Sequence, residues 1–123
     1  MICLDTNALI RFFTNDQPEK GKKVKKLIES KDEIIIPDVV FHELEYILKK
    51  KYHHKRMEIN TMFEFLASQP NIKISPEVKN AIVFFGKTTL DMADCCIIAS
   101  SFSGNLASFD KAMLKAPGVK SYW

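Results

Sequence analysis

The 123-residue sequence predicts an α/β fold with three layers, in which a central, mostly parallel sheet is flanked by helices. Short apolar segments at Ile2–Leu4, Glu33–Ile36 and Leu106–Phe109 have the length of buried strands. Segments with apolar residues at helical spacing separate these strands along the chain. Neighbouring parallel strands need such crossover helices, which then cover the faces of the sheet.

Apolar periodicity and proline positions set the elements up to residue 74. The β-branched residues before Pro37 indicate a strand, and Asp38 after it is a typical N-cap. Apolar residues at helical spacing indicate helices on both sides of this strand. The predicted elements are, in order, the strand Ile2–Leu4, a short helix beginning near Leu9, a lysine-rich helix at Pro18–Ser30, the strand Glu33–Ile36, a helix from Asp38 to about Lys50, a helix from about Lys55 to Ser68, and an extended segment at Asn71–Ile74.

Proline and glycine also delimit the elements that follow. Pro76 suits the first turn of a helix, where a missing N–H has no cost. Gly104 suits the residues just after a helix end. The predicted elements are a helix from Pro76 towards Gly86, a helix at Asp91–Phe102, the strand Leu106–Phe109 and an edge strand at Gly118–Tyr122.

Composition is that of a single globular domain covering residues 1–123, with 46% hydrophobic and 27% charged residues. No apolar run approaches the roughly 18 residues that span a membrane, and the N-terminus lacks a signal-peptide pattern. The three cysteines are odd in number and lack Cys-x-x-Cys spacing, so we expect buried free thiols in a reducing cytoplasm. The net charge of +3 permits nucleic-acid binding without requiring it.

Two acids follow predicted strands, at the sheet edge where ligands of parallel α/β proteins bind. Asp5 follows the first strand, and Asp110 follows the strand Leu106–Phe109. Each has a purely structural alternative. Asp5 is suited to cap the short helix after it, and Asp110 is suited to cap a helix at Lys111–Leu114.

Glu43 is predicted to fall inside the broad apolar arc of its helix, with Val39 and Ile47 one turn away on either side. A carboxylate on a core-facing arc is costly unless it is paired or binds a metal. The alternative is a glutamate at the rim of the core that reaches solvent. Glu45, four residues before Lys49, is predicted to be an ordinary solvated ion-pair residue.

Asp94 lies in a helix that is apolar almost all round and is therefore predicted to be buried. No lysine or arginine falls within one turn of it, so we expect a ligand or an N-cap. Asp91, on nearly the same face, is equally consistent with a site residue and with a cap, because Thr88-x-x-Asp91 resembles a capping box. Carboxylates gathered in one place repel unless a cation compensates them. Oxygen ligands without histidine or thiolate suit Mg²⁺ or Mn²⁺.

Four short motifs occur in an order that resembles the PIN-domain family over nearly the whole chain. They are Asp5-Thr6-Asn7, Pro37-x-x-Val40-x-x-Glu43-Leu44, Asp94-Cys95-Cys96-Ile97-Ile98-Ala99 and Ala107-Ser108-Phe109-Asp110. No single motif is specific, whereas the ordered set at this spacing is fairly specific. The Cys95-Cys96 pair departs from the more usual alanine-aliphatic pair.

The resemblance implies a pocket of Asp5, Glu43, Asp94 and Asp110 that holds one or two divalent ions, Mg²⁺ or Mn²⁺. It also implies cleavage of single-stranded RNA. Compact members are often VapC-type toxins that form homodimers and are silenced by a cognate antitoxin. Asp91 fits a frequent extra acid before the third motif. The hydroxyls of Thr6 and Ser108 are placed to orient water near the ions, and Asn7 has either that role or closes a turn, which we favour slightly.

Substrate RNA would also need basic contacts. Lysines cluster at residues 20–26, and a second basic run covers residues 49–56. Each cluster is by default a solvated face, and phosphate contact is the functional alternative. The candidate RNA-binding residues are Arg11, Lys22, Lys50 and Lys51.

Competing classes fit the sequence less well. A phosphoacceptor receiver domain would need paired acids after the first strand, and a dehalogenase-like phosphatase would need an acid at position 7, which is Asn7. Two alternatives within the family stay open. One is an RNA-processing nuclease without a toxin role, and the other is a catalytically silent module that binds RNA or protein.

Overall fold

The computed structural model describes all residues, Met1–Trp123. The chain divides into two compact units, Met1–Ser75 and Pro76–Trp123. The first unit contains the sheet and four helices, and the second contains three helices and one isolated bridge.

The sheet of the first unit has three short parallel strands in the order β1-β2-β3. These strands are β1 (Ile2–Cys3), β2 (Ile34–Ile35) and β3 (Ile72–Lys73). Ile2 pairs with Ile34, and Ile34 pairs with Ile72, so the β-branched residues form one row across the sheet. The predicted α/β class with a parallel sheet is confirmed. All three strands end at the same edge because they run in parallel.

Four helices connect these strands, two in each crossover. They are α1 (Thr6–Thr14), α2 (Pro18–Ile28), α3 (Asp38–Lys50) and α4 (Arg56–Ser68). α1 ends at Asn15, whose left-handed backbone (φ 53°) lets its N–H donate to the Arg11 carbonyl. A side chain at Gly21 of α2 would come within 3.0 Å of the Arg11 carbonyl oxygen, so glycine permits the close packing of α1 and α2.

The core of the first unit is aliphatic and aromatic. Phe41 and Phe63 are fully buried and meet edge to face, with ring centroids 5.3 Å apart. Asn71 fixes the turn before β2, because its amide nitrogen donates to the carbonyls of Ile28, Ser30 and Asp32. The buried core thus packs the first unit together, and the hydrogen bonds of Asn71 fix the turn that leads into β2.

The second unit consists of α5 (Pro76–Lys87), α6 (Met92–Ser101) and α7 (Lys111–Leu114). Its buried cluster includes Ile98 of α6 and Met113 of α7. Leu106 forms an isolated parallel bridge with Ser121. No helix of the protein is long and apolar enough to cross a membrane.

Several expected elements differ in detail. The strands predicted at Leu106–Phe109 and Gly118–Tyr122 are reduced to the single bridge, because only Leu106 finds a strand-like partner. Pro37, not Asp38, occupies the N-cap position of α3. α1 begins at Thr6 rather than near Leu9, since Asp5 already caps it.

Burial also corrects two expectations. α6 is buried on one face only, and Ile97 on the other face is 45% exposed. The cysteines are free as predicted, but Cys3 is exposed and only Cys95 is fully buried. The first correction matters most, because it leaves Asp94 half-buried rather than enclosed.

Candidate functional site

Asp5 lies directly after β1 and caps α1. Its Oδ1 accepts a hydrogen bond from the Ala8 backbone N–H at 3.0 Å. The structural alternative predicted for this residue is therefore correct, yet it occupies only one carboxylate oxygen. The other oxygen is left for a ligand at the carboxyl end of the sheet.

Thr6 and Glu43 connect the end of β1 with α3. The buried hydroxyl of Thr6 donates to Glu43 Oε1 at 2.7 Å. This contact spans 37 positions in the sequence and holds one oxygen of the glutamate in place. A positioned carboxylate needs this kind of supporting hydrogen bond to keep its geometry.

A cleft of about 500 Å³ lies over these residues, entirely within the first unit. Asp5, Thr6, Asn7 and Glu43 line it, as do Arg11, Lys51 and Tyr52. A volume of this size is typical of a small-ligand site. The cleft therefore brings acids and cations together around one solvent-accessible space.

The helical wheel predicted the wrong burial for the two glutamates of α3. Glu45 is buried (9% exposed), whereas Glu43 is exposed. The face that carries Val39, Glu43 and Ile47 lines the cleft instead of the core. Glu43 remains a candidate site residue for that reason, although not as a buried charge on a core-facing arc.

Arg11 is held by a local network at the cleft wall. Its guanidinium donates to Asp16 Oδ2 at 2.7 Å, and the Tyr52 hydroxyl donates to the same oxygen at 2.9 Å. The pKa of Asp16 is lowered, chiefly by the Tyr52 hydroxyl. The pKa of Arg11 is raised by its hydrogen bonds to Asp16 and Tyr52. Asp16 and Tyr52 could not be predicted as partners from sequence patterns, because they lie 36 positions apart.

Asp91 and Asp94 begin α6 in the second unit. Asp91 is the N-cap, and its Oδ1 accepts from the Asp94 backbone N–H at 2.8 Å. The cap is thus Asp91 itself, and the capping box from Thr88 does not form. Asp94 sits half-buried in the first turn, and its carboxylate accepts no hydrogen bond. Burial raises the pKa of Asp94, and the charges of Asp91 and Asp110 raise it further.

Asp110 caps the short α7. Its Oδ1 accepts from the backbone N–H groups of Ala112 and Met113, at 2.9 and 3.1 Å. The Ser108 hydroxyl accepts from the Asp110 backbone N–H at 3.0 Å, which fixes the turn before the cap. Ser108 therefore supports the backbone that carries Asp110.

Four acids share one pattern of hydrogen bonding. In each, one carboxylate oxygen is fixed by a donor and the other accepts no hydrogen bond. These acids are Asp5, Glu43, Asp91 and Asp110. An oxygen with a fixed direction and no protein partner is suited to a divalent cation, which prefers oxygen ligands.

The donor set of each unit is compatible with such a cation, but neither unit alone presents three close ligands. No group of three His, Cys, Asp or Glu side chains within a unit is close enough to hold a metal ion. In the second unit, the charges of Asp91 and Asp110 add repulsion to the burial that chiefly raises the pKa of Asp94. A cation would relieve that repulsion.

The lysines predicted to bind RNA and Asn7 differ in whether they line the cleft. Lys51 lines the cleft of the first unit, whereas Lys22 on α2 and Lys50 at the end of α3 are exposed and do not. Asn7 is the second residue of α1, so it does not close a turn, and its exposed side chain lines the cleft.

A three-stranded parallel α/β chain with carboxylates at strand and helix ends belongs to the class of proteins that bind ligands at the carboxyl edge of the sheet. Comparison with family profiles gives the particular family. The PIN domain profile matches residues 2–119, and the chain belongs to the PIN domain family. PIN domains are generally nucleases and typically use divalent metals. Searches of curated proteins and of solved structures find no match.

Proposed function

We propose that the protein is an endoribonuclease that depends on one or two Mg²⁺ ions, for which Mn²⁺ can substitute. The observation that carries the proposal is the set of four acids that each have one fixed and one free carboxylate oxygen, namely Asp5, Glu43, Asp91 and Asp110. The proposed ligands are Asp5, Glu43, Asp94 and Asp110. Asp94 differs in that its whole carboxylate is without a hydrogen-bond donor, and Asp91 supports it by fixing its backbone N–H. A family in which nucleases and divalent metals are the rule adds to this argument.

The residues of the chain have distinct parts in the proposed reaction. A divalent cation, when bound, lowers the pKa of a water molecule and neutralises charge on the scissile phosphate. Thr6 holds Glu43 Oε1 by a hydrogen bond, and Glu43 lines the cleft with Oε2 free of protein donors. For Asp110, the α7 backbone N–H groups fix Oδ1, and the Ser108 hydroxyl fixes the backbone by accepting from the Asp110 N–H.

The bond changes can be stated for the substrate. Water attacks the phosphorus in line, and the bond between phosphorus and the 3′ oxygen breaks. The leaving 3′ oxygen takes up a proton, so the products carry a 5′-phosphate and a 3′-hydroxyl. Lys51, and Arg11 when it releases Asp16, are proposed to hold neighbouring phosphates at the cleft wall.

The first experiment is cleavage of a mixed single-stranded RNA pool with Mg²⁺ and with EDTA. Asp5→Asn and Asp94→Asn should slow cleavage sharply without unfolding the protein. Asparagine caps a helix about as well as aspartate at position 5, and at position 94 no side-chain hydrogen bond is lost because Asp91 is the cap of α6. Glu77→Gln is the matched control, because Glu77 is an exposed acid in the first turn of α5. Cleavage that persists in EDTA, or in Asp94→Asn, would contradict the proposal.

A second pair of variants separates capping from chemistry at Asp110. Asp110→Ser keeps a side-chain acceptor for α7 and removes the carboxylate, so stability should hold while cleavage is lost. Asp110→Ala should lose both, with a stability cost of about 1 kcal/mol. If Asp110→Ser cleaves RNA at the parental rate, Asp110 is a cap only.

Asp5 and Glu43 belong to the first unit, and Asp94 and Asp110 belong to the second. Combining variants from the two pairs tests whether both serve one reaction. Residues that act as a unit give strongly non-additive losses. The double variant of Asp5→Asn and Asp94→Asn should therefore be no slower than the slower single variant. Multiplied losses would show that the two pairs act independently.

The toxin role is proposed on the sequence resemblance alone, together with a cytoplasmic location, a homodimer and a cognate antitoxin. Expression should arrest growth, and Asp94→Asn should remove the arrest. Co-expression of a small gene found beside this one should also remove it. Cleavage of RNA without growth arrest would favour the RNA-processing alternative, and metal binding without cleavage would favour the silent module.

A further inference from the structure

Three aromatic side chains form an exposed cluster in the second unit. Phe109, Tyr122 and Trp123 are 84%, 67% and 64% exposed. The Phe109 and Trp123 rings stack with centroids 5.1 Å apart and planes 24° apart. Tyr122 meets Trp123 edge to face at 5.3 Å. We call this cluster the aromatic platform.

The aromatic platform is not part of the hydrophobic core. The buried cluster of the second unit contains Ile98, Leu106, Met113 and Ala116, and none of the three platform rings belongs to it. Large apolar rings gain about 25 cal/mol for each Å² removed from water, so leaving three of them exposed forgoes that stabilisation. Contiguous exposed apolar surface of this kind marks a binding site.

The backbone under the aromatic platform is fixed by hydrogen bonds. Leu106 N–H donates to the Lys120 carbonyl at 2.7 Å, and Tyr122 N–H donates to the Leu106 carbonyl at 2.9 Å. The Ser121 hydroxyl donates to the Trp123 carbonyl at 2.6 Å. Tyr122 and Trp123 are therefore presented by a braced segment, which lowers the entropy cost of binding a flat ligand.

The position and charge of the aromatic platform indicate its ligand. Phe109 directly precedes Asp110, one of the proposed metal ligands, and Lys111 directly follows it. Lys120 lies two residues before Tyr122. Flat π faces combined with cations are the features that bind single-stranded nucleic acid, because bases stack on the rings and phosphates contact the cations.

We propose that the aromatic platform is a binding surface on which unpaired bases of the RNA strand stack. The choice of RNA as ligand rests on the proposed function, whereas the stacking geometry does not. Phe109 and Trp123 supply the two stacked rings, and Tyr122 supports Trp123 from its edge.

The single tryptophan of the chain, Trp123, reports on the aromatic platform directly. A short unstructured RNA, titrated in EDTA so that no cleavage occurs, should quench its fluorescence. The same RNA annealed into a duplex should not, because its bases are already stacked. Phe109→Ala should weaken binding of the single strand by about 5-fold to 100-fold.

Two variants control this experiment. Phe109→Tyr keeps a ring and should keep the parental affinity. Tyr46→Ala removes a similarly exposed aromatic side chain (65%) from α3 and should leave the affinity unchanged. Unchanged melting temperatures for all three variants would show that the differences arise from binding.

The outcomes separate this inference from the proposed function. If the protein cleaves RNA in Mg²⁺ but RNA does not quench Trp123, the platform is not an RNA-binding site and the nuclease function stands. If RNA quenches Trp123 but is not cleaved, the platform binds RNA and the proposed nuclease function is wrong. Equal quenching by the duplex would overturn the inference. The inference would also be overturned if Phe109→Ala bound RNA with parental affinity but had a different oligomeric mass. That result would identify the cluster as a protein interface.

Discussion

The hydrogen bond between Thr6 and Glu43 should couple stability to activity. Thr6→Val removes the hydroxyl and keeps the shape of the side chain, so no buried donor is left unsatisfied. A hydrogen bond to a charged group contributes about 1.5–3 kcal/mol to stability. Glu43 is exposed and regains water on the freed oxygen, which reduces the expected loss to about 1 kcal/mol.

Urea denaturation measures this loss, and a double-mutant cycle with Glu43→Ala isolates the pair. We expect a coupling energy near 1 kcal/mol, since the two residues are in direct contact. A loss of 1 kcal/mol corresponds to a fall in Tm of roughly 3–6 °C for a chain of this size. Cleavage should slow by about 10-fold to 100-fold, as when a residue that orients a metal ligand is removed.

Two further variants make this prediction specific. Thr6→Ser keeps the hydroxyl and should restore most of the cleavage rate. Thr61→Val is the matched control, because the Thr61 hydroxyl donates only to the Met57 carbonyl of its own helix, at 3.0 Å. The reasoning is refuted by a coupling energy below about 0.3 kcal/mol, which is within the additivity error for independent sites.

Two predictions concern titratable groups. The folded pKa of Asp94 is raised above its ordinary value of 3.8, so its contribution to stability is complete below that value and is lost as the pH rises through the folded pKa. In EDTA, Asp94→Asn should therefore have the same urea midpoint as the parent near pH 3 and a higher one near pH 7. A midpoint that falls below that of the parent as the pH rises would contradict the raised pKa of Asp94. Tyr52→Phe removes the largest cause of the lowered pKa of Asp16, so this pKa should move up towards 3.8 in an NMR titration of the carboxyl carbon. An Asp16 pKa that does not move would show that Thr14 and Arg11 are enough to keep it low without the Tyr52 hydroxyl.

Local sequence was sufficient to predict the helices and the parallel class of the sheet. α4 was expected at about Lys55 to Ser68 and is found at Arg56–Ser68. The β-branched run before Pro37 became β2, since its residues suit a buried strand. Caps were readable for the same reason, because Asp5, Asp91 and Asp110 interact with N–H groups only two or three residues away.

The candidate site was predictable only in part. The order of the acids pointed to Asp5, Glu43, Asp94 and Asp110 through resemblance to a family. The metal, the roles of these residues and the single-domain organisation remain predictions. The strand expected at Leu106–Phe109 did not form beyond Leu106, because a strand needs a partner and only Ser121 pairs with it.

By itself the sequence determined which residues carry charge and which helix ends they cap, since these depend on neighbours within one turn. Tertiary structure decided which side of α3 faces the core. The wheel placed Glu43 inside the apolar arc, but packing buries Glu45 and turns Glu43 to the cleft. Helical periodicity fixes the angles between residues and not the direction of the core, and only contacts over long sequence distances, such as Thr6 with Glu43, fix that direction.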